Sequence, residues 1–144
     1  MSTNPMNTED TRDLIERYYA ALTKADRDTV ASLVADECVW LPPATAEIEP
    51  MSGGPAIVAA LTGGVVKETF DLSKPFNLEV RSMIVDGERA VVQQRLTATA
   101  KATGSDYDNQ YCWVYTCSDG KIVHMEEYAD TLLASRAMGW GSNE

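Results

Sequence analysis

Apolar side chains recur along this chain with two different periods, and the change falls near its middle. Over residues 8–24 the positions Leu14, Ile15, Tyr18, Tyr19 and Leu22 sit at helical spacing and form one stripe. Thr8 is the expected N-cap of that helix, with Asp10 and Thr11 in its first turn. Asp26 is expected to cap a second helix whose Val30, Leu33 and Val34 face inward, so the chain begins as helix, tight turn, helix. Residues 38–41 read as a short strand that Pro42-Pro43 stops, because proline fixes φ and lacks an N–H to donate. A loop over 44–54 is expected next. Pro55 then opens a third helix carrying Ile57, Val58 and Leu61 and ending at Gly63-Gly64.

The second half alternates instead. Residues 76–85, 89–101, 108–117 and 121–129 are rich in β-formers, and turn signals join them at Asp86-Gly87, 103–106 and Ser118-Asp119-Gly120. Four consecutive strands with hairpin-length joints predict an antiparallel meander, with no βαβ alternation and no glycine-rich phosphate loop. Residues 131–138 read as a helical turn. Helices first and sheet second, around one core, make an α+β layer arrangement. The expected organisation is a tail over 1–7, a single domain over 8–138 and a second tail over 139–144.

Composition narrows the partners. The 144 residues, 44% hydrophobic and 24% charged, are enough for one self-supporting core. No apolar run approaches the roughly 18 residues of a membrane span, and the start has no basic or apolar leader, so the expected location is cytoplasmic. Cys38, Cys112 and Cys117 are odd in number and lack CxxC spacing, which suits reduced thiols. A net charge of −10 argues against nucleic acid and anionic membrane as partners. With His124 the one histidine in the chain, a zinc or iron centre is not expected, nor is any other cofactor.

In this order of elements, Arg17-Tyr18-Tyr19-Ala20-Ala21-Leu22 with Ala25-Asp26 leads to Leu33-Val34-Ala35-Asp36-Glu37-Cys38-Val39-Trp40. The close runs from Asp119-Gly120-Lys121-Ile122-Val123 through Glu127-Tyr128-Ala129-Asp130. Together they resemble the nuclear-transport-factor-2-like superfamily, within it the SnoaL-like polyketide cyclases, ketosteroid isomerase and limonene-epoxide hydrolase. The resemblance implies a cone-shaped, curled antiparallel sheet whose N-terminal helices close an apolar pocket for a hydrophobic small molecule. It is specific for the fold and poor for the reaction, since one fold hosts many activities.

Strand parity, anchored on that resemblance, predicts which side chains enter the pocket. Val123, Met125, Glu127 and Ala129 are expected inside on the last strand, leaving His124, Glu126 and Tyr128 outside. Gln93, Arg95, Thr97 and Thr99 are expected inside on the strand over 89–101, and Gln110, Cys112, Val114 and Thr116 on the next. Tyr111, Trp113 and Tyr115 then form an aromatic row on the outer face, suited to a homodimer interface. A bulge that shifts the register reverses that assignment and puts Trp113 and Tyr115 in the pocket.

The resemblance places Tyr18 where ketosteroid isomerase keeps its oxyanion-hole tyrosine; the competing role is a core tyrosine bonded to backbone. The isomerase's catalytic aspartate aligns with Pro42 and its second acid with Cys112. The hydrolase's Asp-Arg-Asp set aligns with Thr97, Arg95 and Glu127. Proline cannot take a proton, and threonine cannot replace a carboxylate, so both sets are broken. The expected catalytic residues are therefore Tyr18, Arg95 and Glu127, the last two paired; a structural ion pair near the rim is the alternative. The expected pocket wall is Trp40, Met51, Leu61, Thr97, Cys112, Val114 and Met125. A mould with so few polar groups suits a cofactor-independent polyketide cyclase of antibiotic biosynthesis, closing a carbocycle by an aldol-type step or cycloaddition. The alternatives are an epoxide hydrolase or double-bond isomerase of the same fold, or a non-catalytic ligand-binding protein.

Overall fold

The computed structural model describes residues 5–46 and 48–140; of the expected tails over 1–7 and 139–144, residues 1–4 and 141–144 lie outside them. The stripe of Leu14, Ile15, Tyr18 and Tyr19 is buried on α1 (Thr8–Thr23). Its N-cap is Asn7 rather than Thr8, with Asn7 Oδ1 accepting from Asp10 N–H at 2.8 Å. Thr8 Oγ1 instead accepts from Gly87 N–H at 2.9 Å, which ties the helix start to a hairpin turn. Ala25, at φ 54°, makes the tight turn, and Asp26 caps α2 (Arg27–Leu33) by accepting from Thr29 N–H.

The strand that the double proline ends is β1 (Val34–Leu41), and it begins four residues earlier than its sequence reading. The expected loop contains a two-residue strand, β2 (Met51–Ser52). After it come α3 (Gly54–Thr62) and a short helix the pattern had not separated, α4 (Gly64–Thr69). Gly54 at the start of α3 is required by contact: a Cβ there would lie 2.2 Å from the Ala35 carbonyl oxygen. The four long strands are β3 (Asn77–Asp86), β4 (Arg89–Thr99), β5 (Asp106–Ser118) and β6 (Lys121–Ala129), followed by α5 (Thr131–Met138).

These strands form one curled, unclosed sheet in the order β2-β1-β6-β5-β4-β3. The meander is antiparallel throughout, as its turns imply, and β1 joins β6 in parallel. Helix α1 packs over β3 and β4, α3 over β1, and α5 over β5. The core is in two parts. One gathers Ile15, Tyr18, Trp40, Ile57, Trp113 and Tyr115, and the other Phe70, Leu96, Tyr107, Ala134 and Met138. Residues 139–140 are not a free tail: Gly139 is the left-handed C-cap of α5, and Trp140 N–H donates to the Ser135 carbonyl at 3.0 Å. No helix among the described residues is long and apolar enough to cross a membrane.

Candidate active site

Where the two parts of the core meet, they leave a cavity of about 330 Å³ lined by side chains from both. That lies at the small end of the roughly 300–1,000 Å³ typical of ligand sites. Its wall is mostly apolar, and Leu72 and Phe76, both exposed, lie at its mouth. Among the described residues lining it, Glu127 carries the one carboxyl and no lysine or arginine is present.

Period-two alternation on β6 brings Glu127 and Ala129 to the cavity and Met125 into the core beneath it. At Val123 the reading fails. A bulge between Thr116 and Cys117 pairs Cys117 with Ile122, so Ile122 takes the buried place and Val123 is only half-buried. Trp40, on the neighbouring β1, donates its indole N–H to Glu127 Oε1 at 3.1 Å. Trp113 faces Glu127 directly across the ladder, but its own buried indole N–H has no partner. Desolvation in this pocket pushes the Glu127 carboxyl from 4.5 up to about 7, and the single bond from Trp40 opposes it only weakly.

On β4 and β5 the parity is opposite to that expected. Ala90, Val92, Gln94 and Leu96 point inward, and across the ladder from them stand Tyr115, Trp113, Tyr111 and Asn109. Tyr111, Trp113 and Tyr115 therefore line the cavity rather than an outer face, and the dimer interface drawn on them loses its residues. The physical reason is area. An aromatic row buries far more apolar surface than Cys112, Val114 and Thr116, so it takes the concave side. Trp113 stacks on Tyr115 with rings 5° from parallel, and on Trp40 at 25°.

The same inversion removes Arg95 from the site. It lies on the opposite face, 44% exposed, and forms a two-pronged pair with Asp108: Nε to Oδ1 at 2.8 Å and Nη2 to Oδ2 at 2.7 Å. It does not pair with Glu127, because burying a guanidinium in an apolar cavity carries a desolvation penalty that the surface avoids. Thr97, Cys112 and Val114 share that outer face and do not line the cavity. Met51 packs half-buried against the core beside Trp40, and Met125 is fully buried in it; neither lines the cavity. Trp40, Leu61 and Tyr18 do line it.

The tyrosines divide into two kinds. Tyr19 and Tyr115 share a buried hydroxyl–hydroxyl bond at 2.6 Å. Tyr107 and Tyr111 share another, and Asn109 Nδ2 supports it by donating to the Tyr107 hydroxyl at 2.8 Å and to the Asp130 carbonyl at 3.1 Å. Tyr18 is 1% exposed, lines the cavity, and has no hydrogen-bond partner for its hydroxyl among the described residues. Burial raises its phenol pKa, so it is a neutral donor. The arrangement offers a carboxyl that exists in both protonation forms near neutrality and an unengaged phenol, inside an apolar chamber.

The sequence profile of the SnoaL-like domain matches residues 15–125, well over half of the chain. The chain belongs to the SnoaL-like family. Solved structures place this SnoaL-like chain in the nuclear-transport-factor-2-like fold. A candidate SnoaL-like polyketide cyclase from Jannaschia sp. CCS1 superposes with a TM-score of 0.77 at 19% identity, over 97% of this chain and 98% of that one. An epoxide hydrolase of the limonene-epoxide-hydrolase-like type from M. tuberculosis gives 0.70 at 18% identity, over 94% and 93%. A candidate ketosteroid isomerase from Kribbella flavida gives 0.71 at 21%, over 87% and 81%. At these identities the likeness is one of fold. No protein of curated function matches the sequence.

Proposed function

We propose that this SnoaL-like protein is a cofactor-independent cyclase that closes a carbocycle in a small hydrophobic polyketide-type substrate by an aldol-type step. The observation that carries the reading is Glu127: a cavity carboxyl with a pKa of about 7, bonded to Trp40 and facing no cation. A base with a pKa near the working pH is suited both to removing a proton and to returning it.

In this reading the Glu127 carboxylate takes a proton from the carbon α to a ketone, and the Tyr18 hydroxyl donates to the oxygen as enolate charge develops. The enolate carbon bonds to a second carbonyl carbon of the folded chain. The resulting alkoxide then takes back the proton that Glu127 holds, so no net proton, oxidant or metal is consumed. The apolar wall supplies the rest by holding the two reacting carbons together and excluding water. Epoxide hydrolysis with two carboxylates and an arginine is disfavoured, since the described lining holds one carboxyl and the arginine faces away.

The test follows the first step alone. Exchange of the α-protons of 1-tetralone for deuterium is monitored by NMR in D2O. The protein should accelerate it, with a rate that rises with pH through about 7. Glu127→Gln should lower the rate by roughly a hundredfold or more, and Tyr18→Phe by a similar factor. Equal rates for Glu127→Gln and the unmodified protein would remove Glu127 from the chemistry.

A further inference from the structure

One polar side chain in the cavity wall is used neither by the fold nor by the chemistry above. Gln94 is 6% exposed, points inward from the middle of β4 and lines the cavity. Its side-chain amide has no hydrogen-bond partner among the described residues. Its neighbour Gln93, on the outer face, does have one: Gln93 Oε1 accepts from Ser82 Oγ at 2.8 Å. Tyr111, opposite Gln94 across the ladder, shares its hydroxyl with Tyr107 instead. The amide opens onto the cavity with no protein partner among the described residues, where leucine would fill much the same volume and match the apolar wall.

We propose that Gln94 reads a second oxygen on the substrate, at the end of the ligand remote from Glu127. The sheet register sets the separation. Gln94 lies opposite Tyr111, and Tyr111 opposite Ala129; Glu127 lies opposite Trp113, and Trp113 opposite Val92. The two polar residues are thus two strands apart across the sheet and two residues apart along it. With about 4.8 Å between strands and about 3.4 Å per residue, their Cα atoms are about 12 Å apart. Both long side chains project from the concave face, so they approach the ligand from opposite ends with aromatic wall between them. A ligand that engages Glu127, Tyr18 and Gln94 has a ketone at the Glu127 and Tyr18 end, an apolar body, and a hydroxyl or second carbonyl at the Gln94 end. A carboxamide both donates and accepts, so it takes either.

This inference deepens the proposed function and rests on it for the ketone end only. Its test compares 1-tetralone with 6-hydroxy-1-tetralone, by calorimetric binding and by α-proton exchange, for the unmodified protein and for Gln94→Leu. The unmodified protein should bind the hydroxylated ketone roughly tenfold more tightly. Gln94→Leu should lose that preference while holding 1-tetralone equally well, and its ligand-free Tm should stay level or rise. A lowered Tm would mark Gln94 as a structural residue and overturn the proposal, as would an undiminished preference in Gln94→Leu. The two ideas fail separately. A Gln94-dependent preference with no proton exchange leaves the subsite standing and sinks the cyclase reading. Exchange without that preference does the reverse.

Discussion

Because burial raises the proton affinity of Glu127, the fold should lose stability as pH rises from 4.5 to about 7, and the Glu127→Gln variant should not share that loss. The folded-state pKa of about 7 lies above the ordinary 4.5. Below pH 4.5 the carboxyl is protonated in both folded and unfolded chains and contributes no penalty. Between 4.5 and about 7 the unfolded chain releases its proton while the folded one keeps it, so stability falls as pH rises. Above 7 the loss levels off. The interval spans about 2.5 pH units, and at about 1.4 kcal/mol per unit the total is about 3 kcal/mol. The carboxyl fronts the cavity rather than solid protein, so this figure is an upper bound. The assay is urea unfolding of both proteins from pH 4 to 8.5, followed by tryptophan fluorescence, which also reports on Trp40. Glutamine removes the titration but can still accept from the Trp40 indole. Other titrating groups, such as the hydrogen-bonded Asp26 and Asp71, contribute equally to both proteins and cancel in the difference. The difference between the two curves should open across pH 4.5–7 by up to about 3 kcal/mol, equivalent to about 6–12 °C in Tm. A difference that stays constant across that window would refute the buried-carboxyl argument.

Arg95→Met should leave α-proton exchange within about twofold of the unmodified rate and Tm within about 2 °C, because its pair with Asp108 is exposed and screened. A large loss of exchange there would reinstate the arginine at the site. Tyr115→Phe breaks the buried bond to Tyr19 and leaves one hydroxyl unsatisfied, which should cost about 1–3 kcal/mol in urea unfolding. The Tyr19→Phe, Tyr115→Phe double variant should recover part of that loss. Gly54→Ala forces a Cβ against the Ala35 carbonyl oxygen and should destabilise by about 1–3 kcal/mol or fail to accumulate as folded protein. A Tm unchanged from the parent would show that α3 can shift away from β1.

The elements themselves were readable from local pattern. The helical stripe of α1, the Asp26 cap, the proline stop after Leu41 and the four meander strands all follow from spacing and turn chemistry, which act over a few residues. Lys121–Ala129 and Thr131–Met138 fall at their expected bounds. For the inward face of β4 the sequence held the right signal. Ala90, Val92 and Leu96 alternate with Arg89, Gln93 and Arg95, and that binary pattern alone puts Arg95 outside. The family resemblance instead places Gln93 and Arg95 inside, which turns Gln94 outward. On β5 no such signal exists, because Tyr111, Trp113 and Tyr115 alternate with Cys112, Val114 and Thr116, and neither set is charged. Which set turns inward depends on how much area the concave side can cover, a property of the assembled sheet and helices.

The sequence by itself thus determined the main helices, the four meander strands and their antiparallel order, and with the family resemblance it put Tyr18 and Glu127 on inward-facing positions. Tertiary structure alone decided the parity of β5, the parallel docking of β1 on β6 and the separation of Arg95 from Glu127. It also decided the Glu127 pKa. Each of these depends on long-range packing: a one-residue change of register exchanges the faces of a strand, and a carboxyl's proton affinity is set by whatever the rest of the fold leaves around it.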